Sequence, residues 1–164
     1  MEIFIMRHGD AGKRLSASKK DSERSLTVQG RKEIEEISSA LYRRRYRFDI
    51  IATSPLKRAH DTAAVLGRKM NSMPVQDWDE LKPESSRAAL YARLSKLDPS
   101  SRILIVGHEP YLSSMIGDII SRTGDCRISL KKAGLAKVSV TSLTPNIEGK
   151  LRWLLTPRQI KRMD

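Results

Sequence analysis

Two histidines and two arginines stand near the ends of apolar runs, and their chemistry suits phosphate. The chain places Arg7-His8-Gly9, Arg58 and His108 after three short runs, residues 1–6, 50–52 and 103–106. A guanidinium matches phosphate geometry, an imidazole can act as acid, base or nucleophile near neutral pH, and a glycine lets the backbone approach a ligand closely. We therefore predict an oxyanion pocket suited to phosphoryl transfer.

The elements that carry these residues follow from the spacing of apolar side chains. Runs of strand length alternate with segments of helical periodicity, which is typical of an α/β domain with a mostly parallel sheet. We predict strands at about 2–7, 48–53, 74–78 and 102–107, an edge hairpin of strands at 135–143 and 151–155, and helices at about 27–45, 54–70, 85–97 and 109–122. Ligand sites lie beyond the carboxyl ends of parallel strands, so the predicted site residues share one edge of the sheet.

Local signals add detail to this plan. Ser54 and Pro55 suit the N-cap and first position of the second helix, so Arg58 would lie in its first turn, where unpaired amides favour an anion. The polar stretch 9–25 lacks apolar periodicity. Gly124 is expected to end the fourth helix, and the charged tail, 157–164, is expected to fray.

Composition limits the class of protein. The 164 residues suit a single domain, residues 1–164, and one cysteine, Cys126, suits a reducing cytoplasm. Neither a membrane-spanning stretch nor a signal-peptide pattern is present in the sequence. The net charge of +12 would attract acidic or phosphorylated partners, or it forms a solvated basic surface. Because the basic residues are scattered and few aromatics lie among them, the pattern does not favour nucleic acid.

Three motifs together resemble those of the histidine phosphatase superfamily, whose fold is called phosphoglycerate-mutase-like. They are Arg-His-Gly at 7–9, Ser-Pro-Leu-Lys-Arg-Ala at 54–59 and Gly-His-Glu-Pro at 107–110. The short length and the opening Phe-Ile-Met-Arg-His-Gly-Asp-Ala are most similar to the small phosphohistidine phosphatases. The resemblance implies an α/β fold with helices on both faces of the sheet and an antiparallel edge hairpin. It also implies a cytoplasmic hydrolase of signal transduction that uses no metal or other cofactor.

The resemblance further implies a role for each motif residue. His8 would be the nucleophile, attacking phosphorus in line to form a phosphohistidine that water then hydrolyses. Arg7 and Arg58 would hold the phosphoryl oxygens, and His108, in its protonated form, would donate another hydrogen bond. Further phosphate contacts are expected from Arg24 and Gly9.

The expected leaving group follows from a difference between this chain and larger family members. Those members protonate an alkoxide with a carboxylic acid that lies between the second-arginine helix and the second-histidine strand. Here that interval, about 71–102, is short, and Glu80 and Glu84 are the candidates. A leaving imidazole needs less help, because its pKa is roughly 6.5. We therefore expect phosphohistidine on an acidic protein, such as a histidine-containing phosphotransfer domain, with small phosphate esters as the alternative.

Other interpretations stay open at this point. A zinc site could combine His8, His60 and His108, although their spacing is irregular. Cys126 lacks the arginine that cysteine phosphatases carry six residues later, since residue 132 is lysine. Asp10 and Glu109 either tune the neighbouring histidines or lie in solvent. The competing class is a non-catalytic, nucleic-acid-binding module that has kept the pocket.

Overall fold

The computed structural model describes residues 1–13, 21–121 and 127–163. Within these ranges six strands form one sheet: β1 (Glu2–Arg7), β2 (Ile50–Thr53), β3 (Val75–Asp77), β4 (Arg102–Gly107), β5 (Leu135–Ser142) and β6 (Glu148–Leu155). The order across the sheet is β3-β2-β4-β1-β5-β6. Neighbours from β3 to β1 pair in parallel, whereas β5 runs antiparallel to β1 and β6. The predicted mostly parallel sheet with an antiparallel edge hairpin is confirmed.

Helices cover both faces of this sheet. They are α1 (Val28–Arg43), α2 (Lys57–Lys69), α3 (Arg87–Leu94), α4 (Tyr111–Ile120) and α5 (Pro157–Lys161), with a short 3-10 helix at Asp79–Leu81. Because successive strand residues point to opposite faces, β1 contributes to two cores. Ile3 and Ile5 pack with α3 and α4, while Phe4 and Met6 pack with α1, α2 and α5. In the described part of the chain no helix is both long and apolar enough to cross a bilayer.

The start of α2 differs from the prediction and bears on the site. The helix begins at Lys57 with Leu56 as its N-cap, so Ser54 and Pro55 do not open it. The backbone amide of Ser54 still donates to the Val106 carbonyl oxygen at 3.0 Å, so pairing with β4 continues one residue beyond β2. Pro55 also disfavours helical backbone angles at Ser54, the residue before it. The Ser54 side chain is thereby left for contacts other than a helix cap.

The charged tail folds, and the expected fraying of residues 157–161 is wrong. Thr156 and Gln159 form a capping box at the start of α5, and Pro157 occupies its first turn. Ile160 is fully buried, and Lys161 bonds to Glu33 of α1 at 3.2 Å. One buried apolar side chain and an ion pair to α1 thus hold this segment against the protein, although its charged composition suggests that it would be exposed to solvent. Elsewhere the helices are shorter than predicted, while β6 begins three residues earlier; Gly124 and Cys126 lie outside the described residues.

Candidate active site

A cavity of about 640 Å³ opens where β1 and β4 end and α2 begins. Its lining includes five residues that the sequence singled out: Arg7, His8, Arg24, Arg58 and His108. The rings of the two histidines lie 5.2 Å apart, centroid to centroid. Parallel pairing of β1 with β4 places Arg7 beside Gly107, which brings the two histidines to the same edge of the sheet. The topology therefore gathers residues that lie as much as 101 positions apart.

His8 has one ring nitrogen bonded to the backbone and one left for chemistry. The side chain is 6% exposed, and Nδ1 lies 2.7 Å from the carbonyl oxygen of Gly9. A carbonyl only accepts hydrogen bonds, so Nδ1 carries the proton and Nε2 keeps its lone pair. Burial, followed by the positive charges of Arg58 and Arg7, lowers the pKa of His8 to about 4. The ring is therefore neutral at pH 7 and ready to act as a nucleophile.

A buried threonine joins the turn after His8 to the helix that carries Arg58. Thr62 Oγ1 accepts a hydrogen bond from the Gly9 amide at 3.0 Å and donates one to the Arg58 carbonyl oxygen at 2.7 Å. The Gly9 amide is thus already bonded to Thr62, so this geometry does not favour the predicted contact between Gly9 and phosphate. Sequence reasoning gave Thr62 no role in the site; its position four residues after Arg58, on the same face of the helix, is the signal that could have found it.

One aspartate holds two of the guanidinium groups. Asp21 Oδ1 accepts a hydrogen bond from Arg24 Nε at 3.0 Å, and Oδ2 lies 3.3 Å from Arg58 Nη1. That same Arg58 nitrogen donates to the Asp21 backbone oxygen at 2.9 Å. Arg24 also donates to the carbonyl oxygen of Ala11 at 2.9 Å. Because both guanidiniums are anchored, their direction is set before a ligand binds. Sequence reasoning assigned no role to Asp21; its place three residues before Arg24 was the available signal.

His108 is neutral rather than protonated. Its side chain is 2% exposed, and burial together with the Arg58 charge lowers its pKa to about 3. In the protein by itself the ring is therefore neutral at pH 7, since a buried cation beside arginines is unfavourable, whereas the resemblance implies a protonated ring. Nε2 lies 2.9 Å from the Ser54 hydroxyl oxygen, while Nδ1 has no hydrogen-bond partner within the described chain. A neutral imidazole still supplies one N–H donor.

The rim of the cavity is mixed in charge. Lys132, which the sequence did not single out for the site, lies on the rim and bonds to Asp10 at 2.6 Å. Glu109 also lines the cavity and accepts a hydrogen bond from the Ser113 amide at 3.0 Å. Of the two candidate acids, Glu84 lines the cavity.

Glu80 and His60 lie elsewhere. Glu80 forms an ion pair with Arg93 at 3.1 Å, and His60 bonds to Asp77 at 2.8 Å. Since His60 is not part of the cavity, the three-histidine zinc site considered above does not form. No cluster of three or more residues able to hold a metal ion occurs within 1–13, 21–121 and 127–163.

Fold and cavity together define an α/β enzyme of phosphoryl transfer. The family model of the histidine phosphatase superfamily (branch 1) matches residues 3–83. An uncharacterized protein of Picosynechococcus sp. (strain ATCC 27264 / PCC 7002 / PR-6) is 31% identical over 137 residues, which cover 82% of each chain. Phosphohistidine phosphatase SixA of Escherichia coli (strain K12) is 26% identical over 164 residues, covering 98% of this chain and 97% of SixA. The chain belongs to the histidine phosphatase superfamily.

Solved structures agree with this assignment. The protein histidine phosphatase SixA complexed with tungstate superposes with a TM-score of 0.82 at 25% identity, covering 96% of this chain and 98% of that one. A mycobacterial glucosyl-3-phosphoglycerate phosphatase with bound VO3 shares the fold, with a TM-score of 0.70 at 18% identity and coverage of 93% and 97%. The chain is thus a phosphatase-class hydrolase, not the non-catalytic module that the sequence left open.

Proposed function

We propose that the protein removes phosphate from phosphohistidine on a partner protein, through a phosphohistidine intermediate on His8 and without a metal ion. The hydrogen bond from His8 Nδ1 to the Gly9 carbonyl oxygen carries this proposal. It leaves Nε2 unprotonated, in a cavity whose lining includes Arg7, Arg24 and Arg58. A neutral nucleophile among fixed positive charges is what attack on a phosphoryl group requires.

The first half of the reaction transfers the phosphoryl group to His8. Nε2 attacks phosphorus in line, and the bond from phosphorus to the substrate imidazole nitrogen breaks. The substrate ring, which carries a proton on its other nitrogen, leaves as neutral imidazole, so no further proton is needed. Arg7 and Arg58 hold the equatorial oxygens. Positive charge develops on the His8 ring as the new bond forms, and the Gly9 carbonyl oxygen stabilises it through Nδ1–H. The low pKa of His8 means that no proton has to leave Nε2 beforehand.

The second half returns the enzyme to its starting state. Water attacks the phosphorus atom, the bond to Nε2 breaks, and inorganic phosphate leaves. His8 becomes a neutral imidazole again with its proton still on Nδ1. Each of these steps uses groups that already lie in place, so catalysis consists of positioning and electrostatics.

The proposed substrate is an acidic, phosphorylated protein of the cytoplasm, such as a histidine-containing phosphotransfer domain. Similarity to phosphohistidine phosphatase SixA supports this substrate class. The net charge of +12 supports an acidic partner, because opposite charge accelerates encounter. The short segment between β3 and α3, residues 78–86, contains only a 3-10 helix. A protein-borne imidazole could therefore reach the cavity.

The test compares two histidine variants on a phosphorylated phosphotransfer domain. His8→Ala is expected to abolish phosphate release, and His60→Ala is expected to retain it, because His60 lies outside the cavity. Rapid quenching of the wild-type reaction should trap acid-labile, base-stable phosphate on His8. Equal activity of both variants would exclude His8 as the nucleophile. Activity that depends on added divalent metal would exclude the metal-independent reaction.

A second candidate function is the hydrolysis of small phosphate esters, and the position of Glu84 favours it. Glu84 lines the cavity and could protonate an alkoxide, whereas Glu80 is paired with Arg93. On an alkyl phosphate, Glu84→Gln should lower kcat while Glu80→Gln should not. Retention of full activity by Glu84→Gln on that ester would leave phosphohistidine as the supported substrate.

A further inference from the structure

Ser54 lies fully buried between the end of β2 and the start of α2, and its hydroxyl meets two groups. The Leu56 amide donates to Ser54 Oγ at 3.3 Å, and His108 Nε2 lies 2.9 Å from the same oxygen. Ser54 and His108 are 54 positions apart and meet because β2 pairs with β4 in the sheet.

The hydrogen atoms can be shared between serine and histidine in two ways. In the first, the Ser54 hydroxyl donates to Nε2, and the ring proton sits on Nδ1. In the second, Nε2–H donates to Ser54 Oγ, which already accepts from the Leu56 amide. The hydrogen of the Ser54 hydroxyl then has no acceptor within the described chain. The Nδ1 atom of His108 carries a lone pair with no donor facing it there.

Counting unsatisfied groups separates these arrangements. The first leaves one buried group without a partner, the His108 Nδ1–H; the second leaves two, the serine hydrogen and the Nδ1 lone pair. A buried unsatisfied polar group costs about 1–3 kcal/mol, so the first arrangement is favoured. His108 is part of the cavity lining. A doubly ionised phosphoryl group only accepts hydrogen bonds, so an N–H on this ring would attract such a group and a lone pair would repel it.

We propose that Ser54 is a positioning residue that selects the Nδ1-protonated form of His108, so that the ring offers an N–H to the phosphoryl oxygens. This inference rests on the proposed function only in taking a phosphoryl group as the ligand. Ser54 itself does not touch the ligand; it acts through the ring that does.

Nitrogen NMR of histidine reads the proton position directly, and the chain has only three histidines. His8→Gln and His60→Gln assign the signals by elimination. In the wild-type protein at pH 7, His108 should show a protonated Nδ1 and an unprotonated Nε2. Ser54→Ala should move the proton wholly or partly to Nε2, while Ser54→Thr, which keeps a hydroxyl, should restore the wild-type pattern. A wild-type His108 protonated at Nε2 would overturn the proposal, even if neither Ser54 variant folds.

Binding of inorganic tungstate supplies the functional readout. Ser54→Ala should raise the Kd for tungstate roughly tenfold, through loss of one charge-assisted hydrogen bond. Ser38→Ala is the matched control, because Ser38 is equally buried and its hydroxyl bonds to Ile34 within α1. An unchanged Kd in Ser54→Ala would refute the role of Ser54. Tungstate binding does not require turnover, so a protein that binds it without hydrolysing phosphohistidine would contradict the proposed function alone.

Discussion

Gly30 lies where α1 crosses the backbone just after His8 and Gly9. A Cβ atom at this position would lie 2.2 Å from the Asp10 carbonyl oxygen and 3.0 Å from the Asp10 nitrogen. The oxygen cannot simply turn away, because it accepts the Thr27 amide at 2.9 Å at the start of the helix. Gly30→Ala must therefore displace either the helix or the segment that positions the nucleophile.

The size of the effect follows from that distance. Non-bonded atoms pack best at about 3.5–4.0 Å, so the substitution requires a movement of more than roughly 1 Å. Overpacking costs about 1–3 kcal/mol, and alanine's better helix propensity returns about 1 kcal/mol. The free energy of unfolding should thus fall by no more than about 2 kcal/mol. Because a misplacement of about 1 Å can cost on the order of 100-fold in rate, kcat/KM should fall by that factor.

Urea unfolding and phosphate release measure the two effects separately. The control is Gln29→Ala, on the same turn of α1 but exposed, which should leave both quantities within error of wild type. A Gly30→Ala protein as active and as stable as Gln29→Ala would refute the reasoning. A large loss of stability with unchanged activity of the folded fraction would also refute it, because the displacement would then not reach His8.

Three further predictions concern stability and the support of the site. The pKa values of His8 and His108, about 4 and about 3, lie below the unfolded value, so the unfolded chain binds more protons below pH 6.5. The free energy of unfolding, measured in urea, should then be lower at about pH 5 than at pH 7 by roughly 2 kcal/mol for each ring. If His8→Gln lost as much as the wild-type protein between these pH values, the low pKa of His8 would be contradicted. Thr62→Val removes two hydrogen bonds and should weaken tungstate binding at least several-fold in a titration. Unchanged binding would show that the turn after His8 keeps its position without Thr62. Ile160→Ala should lower the free energy of unfolding by about 2–4 kcal/mol without changing kcat, and a loss below about 1 kcal/mol would show that α5 is dispensable.

The residues that the sequence could identify are those whose meaning lies in short-range spacing. Arg7, His8 and His108 directly follow or end strands, and apolar runs of four to six residues show where a buried strand stops. The carboxyl ends of parallel strands meet at one edge, so convergence of these side chains followed from the order of elements alone. The parallel sheet and its edge hairpin were predictable for the same reason.

The partners of those residues were not predictable, because they come from distant parts of the chain. Asp21 and Arg58 are 37 positions apart, and no local pattern pairs them. The charge state of His108 depends on burial next to Arg58, which exists only in the folded protein, so no local pattern could show that the ring is neutral there. The tail illustrates the same limit, since its composition suggests solvent while Ile160 is fully buried against the core.

The sequence by itself therefore determined which side chains gather in the cavity, because strand ends and residue types carry that information locally. The tertiary structure decided how those side chains are held. It placed the Gly9 carbonyl oxygen against His8 Nδ1, the Thr62 hydroxyl against the Gly9 amide and the Ser54 hydroxyl against His108 Nε2. Proton positions and side-chain directions depend on contacts between separate elements, and such contacts form only when the sheet and its helices pack.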